Sequence, residues 1–158
     1  EVGQGSTFTL YLPVTRESTP IVTPELAGRE LPGGHEHILI VDDENTVAQT
    51  VARLLGQLGY RTTVCLNSEA VADLLPGTPV PFDLIITDLI MPGLTGEMLM
   101  QKVAATHPAL PVILCTGYAE KLNPEFLGKL SADHRLLRKP FTKEELAHGV
   151  RRVLDATR

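Results

Sequence analysis

The sequence predicts an α/β fold in which a five-stranded parallel sheet is covered on both faces by helices. Three observations predict it. Five apolar runs, at 37–42, 60–66, 82–88, 111–116 and 134–138, alternate with amphipathic stretches. Helix start and stop signals fall between the runs. The ends of the first, third, fourth and fifth runs carry acids, an acid, a hydroxyl and an amine, as the carboxyl ends of strands do in open α/β sheets that bind a ligand there.

The elements follow in order. After the first run, Val47, Val51, Leu54, Leu55 and Leu58 mark a helix stopped by Gly59. Val71, Leu74 and Leu75 mark a second, stopped by Pro76-Gly77. Leu99 and Val103 mark a third, started by Thr95. Asn123 is an N-cap with Pro124 in the first turn, ahead of Phe126, Leu127 and Leu130. Thr142 and Glu145 form a capping box before Leu146, Val150, Val153 and Leu154. Upstream, Thr7-Phe8-Thr9-Leu10-Tyr11-Leu12 alternates like a strand with one apolar face. Residues 14–36, with three prolines, three glycines and no hydrophobic period, read as a linker. No internal repeat is visible.

Composition narrows the class. The 158 residues are 43% hydrophobic and 21% charged, too apolar for a disordered chain. No apolar run approaches the roughly 20 residues of a membrane span. A net charge of −5 argues against a nucleic-acid surface. With no initiator Met and no signal-like start, the chain is expected to be part of something longer. Cys65 and Cys115 sit inside apolar runs and read as buried free thiols in a reducing compartment. His35 and His37 are close in sequence, but no further ligand pattern accompanies them, so no zinc site is expected.

The first run ends in Asp42-Asp43, the third in Asp88, the fourth in Thr116 and the fifth in Lys139. These would converge on one small pocket. Each has a plainer role if taken singly. Asp42-Asp43-Glu44 suits a helix start, Asp88 a turn cap, Thr116 a turn hydroxyl and Lys139 a solvated surface. Together, each at its own strand end, they point to chemistry. Two carboxylates about 4 Å apart repel by about 4 kcal/mol at an effective dielectric of 20. A divalent cation relieves that repulsion, and hard oxygen ligands with room for waters favour Mg²⁺. The ammonium and the hydroxyl suit phosphoryl oxygens, and one carboxylate is placed as a nucleophile.

The segments HILIVDDE (37–44), DLIITDLIMPGLTG (83–96), VILCTGY (112–118) and LLRKPF (136–141) make the chain similar to receiver domains of two-component response regulators. The resemblance covers about residues 36–158. It implies a flavodoxin-like (βα)5 three-layer sandwich with strand order 2-1-3-4-5. It implies that Asp88 accepts a phosphoryl group from a phosphohistidine. Asp43, Asp88 and the backbone carbonyl of Ile90 would bind Mg²⁺, with Asp42 acting through a water. Lys139 would pair with the phosphoryl oxygens, Thr116 would move to hydrogen-bond them, and the Lys139–Pro140 peptide would be cis. The implied partner is a histidine kinase's phosphohistidine domain or a histidine phosphotransfer protein, in the cytoplasm. Many receivers carry an aromatic switch residue three positions before the lysine. Here that position is Leu136, and Tyr118 is the nearest aromatic substitute. Ile90 and Tyr118 would also flank the path of a hydrolytic water, which implies a long-lived phosphoaspartate. In the implied strand order the two cysteines lie three strand spacings apart, roughly 14 Å, too far for a disulfide.

The N-terminal stretch Gly3-Gln4-Gly5-Ser6-Thr7-Phe8, followed by Leu10-Tyr11-Leu12-Pro13, resembles the end of a histidine-kinase ATP-binding domain. That implies a remnant at 1–13, a linker at 14–36 and a receiver at 37–158, in the order of a hybrid histidine kinase. The parent chain could be membrane-anchored, while this segment touches neither membrane nor nucleic acid. Severed from its lobe, the remnant would bind no ATP. Residues 6–12 would form an unpaired strand open to an edge of a second copy, as in a homodimer.

Two other classes compete. A flavodoxin-like cofactor binder needs a phosphate-cradling loop after the first strand, where this chain has Asp42-Asp43-Glu44-Asn45. A metal-dependent phosphatase with an aspartyl intermediate generally places an acid two residues after its nucleophile, where this chain has Ile90.

Overall fold

The computed structural model describes residues 5, 8–11, 30–75, 81–117, 125, 128 and 135–157. The chain divides into two units, Glu1–Glu30 and Leu31–Arg158. In the first, residues 8–11 form no strand, and Phe8, Leu10 and Tyr11 are almost fully exposed. The expected strand at 7–12 is therefore not formed over its described part. An alternating pattern becomes a strand only with a ladder partner.

The second unit runs β1 (His37–Val41), α1 (Asn45–Gly56), β2 (Arg61–Cys65), α2 (Ser68–Leu74), β3 (Leu84–Asp88), α3 (Gly96–Thr106), β4 (Val112–Thr116), β5 (Leu136–Arg138) and α4 (Lys143–Ala156). The strands form one parallel sheet in the order β2-β1-β3-β4-β5, as expected. The helix expected after Asn123, and Tyr118, lie outside the described residues. Among the described residues no helix is long and apolar enough to cross a membrane.

Side-chain alternation sorts the core into two layers. Leu39, Val41, Ile85 and Leu114 face one way and pack with Val71 of α2 and Leu99 and Val103 of α3. Ile38, Ile40, Ile86 and Ile113 face the other way and pack with Val51 and Leu55 of α1 and with Leu146 and Val150 of α4. β1, β3 and β4 are therefore buried nearly throughout, while the edge strands β2 and β5 keep polar, partly exposed positions.

The capping signals form as read. Thr95 accepts from the Met98 N–H, and the Thr142–Glu145 capping box closes in both directions. The strands are shorter than the apolar runs because flanking residues have other partners. The Tyr60 N–H bonds to the Leu55 carbonyl and finishes the end of α1. Phe82 packs edge-on against His37, with ring centroids 4.8 Å apart, and Asp83 accepts the His37 N–H.

Residues 31–36, read from sequence as linker, belong to the second unit. The Gly34 N–H bonds to the Leu58 carbonyl, and the Glu36 carbonyl accepts the Arg61 N–H at 3.0 Å. Gly33 is required there, since a Cβ would strike the Leu58 carbonyl oxygen, and a Cβ on Gly34 would meet the side-chain ends of Glu36, Tyr60 and Arg151.

Candidate functional site

The parallel sheet delivers the ends of β1, β3, β4 and the β5–α4 turn to one edge. There, a cavity of about 350 Å³ is lined by Asp42, Asp43, Asp88, Ile90, Thr116 and Lys139, together with Glu44 and Gly117. All six residues singled out in the sequence are thus brought together. A larger cavity of about 560 Å³, between β5 and α4, is lined by Leu136, Phe141, Glu144, Glu145, His148 and Arg152 among others, and its two acids stand beside two arginines, Arg138 and Arg152. Chemistry rather than volume selects the smaller one.

Asp88 ends β3. Its Oδ2 accepts the Ile90 N–H at 2.8 Å, and its Oδ1 accepts from the Lys139 ammonium. Asp42, 6% exposed, accepts the Glu44 N–H on Oδ1 and the Lys139 ammonium at 3.0 Å on Oδ2. Lys139 thus bridges the two acids. Its backbone is held as well, since its N–H bonds to the Thr116 carbonyl, and the Lys139–Pro140 peptide is cis, as the resemblance implied. Thr116 is buried at the end of β4, and Asp43 is exposed at the rim.

Burial works against the Lys139 ammonium, but the bonds to Asp88 and Asp42 outweigh it and raise its pKa. Lys139 therefore stays charged at neutral pH. Burial pushes the neighbouring Cys115 thiol up to about 12, so it is no thiolate nucleophile. Cys65 and Cys115 are both free.

Four carboxylates line the cavity against one ammonium. Among the described residues no three His, Cys, Asp or Glu side chains converge closely enough to chelate an ion as they stand, and Lys139 pairs with Asp42 and Asp88. The oxygen-only donor set and its excess negative charge nevertheless fit a hard divalent cation.

Sequence reasoning assigned Ile90 a role through its carbonyl. The structure adds its N–H as a partner of Asp88. Glu44 on the cavity wall could have been found from the run of three acids at 42–44. Gly117 carries no chemical signal beyond its place after Thr116.

Residues 38–151 match the response regulator receiver domain family. The chain is 29% identical to the sensor kinase CckA of Brucella abortus over 98% of this chain but only 17% of the kinase's length. It is 29% identical to the response regulator receiver protein CpdR of the same organism, over 77% of this chain and 98% of that protein. Among solved structures, the receiver domain of the hybrid histidine kinase CckA is 31% identical, with a TM-score of 0.56, covering 75% of this chain and 98% of that one. The Vibrio cholerae chemotaxis protein CheY4 is 26% identical, with a TM-score of 0.61, covering 76% and 99%. A parallel sheet in the order 2-1-3-4-5, acids and a lysine gathered at its carboxyl edge, and this match over most of the chain agree: the chain belongs to the response regulator receiver domain family of two-component systems.

Proposed function

We propose that Asp88 is the phosphoacceptor of this receiver, and that the receiver is the C-terminal module of a hybrid histidine kinase. The observation that carries the first part is the setting of Asp88. Its carboxylate ends a central strand, opens on the acid-lined cavity, and is oriented by one backbone N–H and one ammonium. A carboxylate oxygen of Asp88 forms the new P–O bond as the P–N bond to the donor imidazole breaks. Lys139 pairs with the phosphoryl oxygens, and Thr116 hydrogen-bonds them. Receivers in general take Mg²⁺ for this transfer. Here Asp43, Asp88 and the Ile90 carbonyl would hold it, with Asp42 reaching it through a water, and when bound it offsets the charge on the phosphoryl oxygens.

The donor is the phosphohistidine domain of a kinase or a histidine phosphotransfer protein. What supports the hybrid reading is that the similarity to the Brucella sensor kinase takes in nearly the whole chain rather than the receiver alone. Residues 1–13 are then the end of a kinase ATP-binding domain. A cofactor-binding role finds no support, since the loop after β1 is acidic and would repel a cofactor phosphate.

The test is intact-mass measurement after incubation with phosphoramidate and Mg²⁺. The expected result is a gain of one phosphoryl group in the wild type and none in Asp88→Asn, with the fold retained. Equal labelling of the two would overturn the assignment.

A further inference from the structure

The loop from Asp88 to α3 carries Ile90, so its position decides how the cavity is walled. At its start the Leu89 N–H bonds to the Cys115 carbonyl of β4 at 2.9 Å and the Ile90 N–H bonds to Asp88, the Thr87 hydroxyl lies 4.0 Å from Met91 Sδ, and the Gly96 N–H bonds back to the Leu89 carbonyl at 3.1 Å. Leu89, Met91 and Leu94 anchor it in the core. The far end of the loop is tied to α2. Ser68, the first residue of α2 and only 2% exposed, donates its hydroxyl to the Leu94 carbonyl at 2.6 Å. Beside it, Gly93 has φ +74°, and a Cβ there would strike the Glu69 carboxylate. The first turn of α2 and this loop therefore fit closely, and together with Asp43 they wall a cavity of about 310 Å³.

We infer that Ser68 is a positioning residue for the acid cavity. By holding the Leu94 carbonyl it fixes the far end of loop 89–95, while β4 holds the near end through the Leu89 N–H, and the two anchors together set the Ile90 backbone relative to Asp88 and Asp43. This rests on the reading of Asp88 and Ile90 proposed above. A buried hydroxyl that only satisfied a carbonyl would contribute to stability and to nothing else. A group that anchors the loop carrying a backbone ligand also sets ion affinity, by less than a partner bonded to the ligand itself, whose loss typically costs about 10- to 100-fold.

The test compares Ser68→Ala with Val153→Ala, a core truncation on α4, on the other face of the sheet. Thermal melts are followed across a Mg²⁺ titration, with Mg²⁺ alone as the probe. Both variants melt earlier than wild type, but only Ser68→Ala raises the Mg²⁺ concentration of half-effect, by about threefold, below the range for a direct partner of a ligand. In metal-free protein, amides of 89–95 exchange faster in Ser68→Ala while those of β1 keep their wild-type rates. A Ser68→Ala variant with wild-type Mg²⁺ dependence and wild-type loop exchange would overturn the role of Ser68, as would an equal Mg²⁺ shift in Val153→Ala. A wild type that shows no Mg²⁺ effect and takes no label from phosphoramidate would overturn the reading of Asp88 and this inference together.

Discussion

The two ends of the sheet each hold a cation between two acids, and only one end reads as a site. At the carboxyl end Lys139 bridges Asp42 and Asp88. At the amino end Arg151 bonds Glu36 at 2.9 Å through Nη1 and Asp155 at 2.9 Å through Nε. Burial pushes the Glu36 carboxyl up, but the Arg151 bond and the backbone N–H groups of Glu36 and His35 outweigh it and bring it down to about 2. The bond to Glu36 in turn raises Arg151. Both ends are therefore charged at neutral pH. They differ in access and balance. Gly34 and Tyr60 close over the Glu36–Arg151 pair, whereas Lys139 faces a cavity with Asp43 and Glu44 left over. A planar guanidinium walled in by backbone suits a fixed joint. A point-charge ammonium under excess acid suits partners that come and go.

The sharpest way to break this contrast is at the amino end. Arg151→Met leaves the Glu36 carboxylate buried without its partner. The expected loss is about 3 kcal/mol in urea unfolding, at the lower end of the range for a broken buried pair because the Arg151 side chain keeps 17% exposure. Glu36 has a folded pKa of about 2 against a usual 4.5, so its stabilising contribution is present above 4.5 and is lost as pH falls toward 2. The gap between wild type and variant should narrow over that window. Labelling of Asp88 at neutral pH should be unchanged, and a variant that folds but no longer takes the label would show the two ends to be coupled.

Lys139→Met tests the other end with a smaller effect. Asp42 and Asp88 then face each other without a cation between them. At low salt the expected loss is about 1 kcal/mol, or about 4 °C in Tm. The variant should gain more from Mg²⁺ than the wild type does, because the ion then relieves the whole repulsion. A Mg²⁺ gain no larger than that of wild type would mean that Lys139 does not share the acids' charge with the ion.

The smallest effect concerns Ile90, half-exposed on the cavity wall. It offers no polar group to orient a hydrolytic water. Ile90→Asn should shorten the lifetime of the phosphorylated form about threefold, ~0.7 kcal/mol in the barrier, followed as loss of phosphoryl mass with time. An unchanged lifetime would remove Ile90 from the shielding of that bond.

What the sequence made legible was whatever is written in neighbouring residues. The Thr142–Glu145 box, the Thr95 cap and the apolar runs of β1, β3 and β4 are local patterns, and each formed where its residues stand. The candidate site was legible because a parallel sheet brings all its strand ends to one edge, so four separate strand ends sufficed to name it. Ser68, Gly34, Glu36 and Arg151 were not legible. Their partners come from other elements, and a serine at a helix start or a Gly-Gly pair near prolines has commoner uses. Tyr60 was assigned to a strand as the start of the apolar run 60–66, yet its N–H is taken by the turn that ends α1.

The packing of residues 31–36 also decides where this receiver can be joined to other proteins. Arg61 finds the acceptor for its N–H, and Arg151 its buried carboxylate, on a residue that precedes the first strand. A splice at residue 37 would take both away and leave a charged side chain stranded in the amino end of the sheet. A splice ahead of Leu31 keeps the residues that close that end. The modular unit that could be transplanted from one signalling chain to another is thus longer than its strands and helices, and it begins at Leu31.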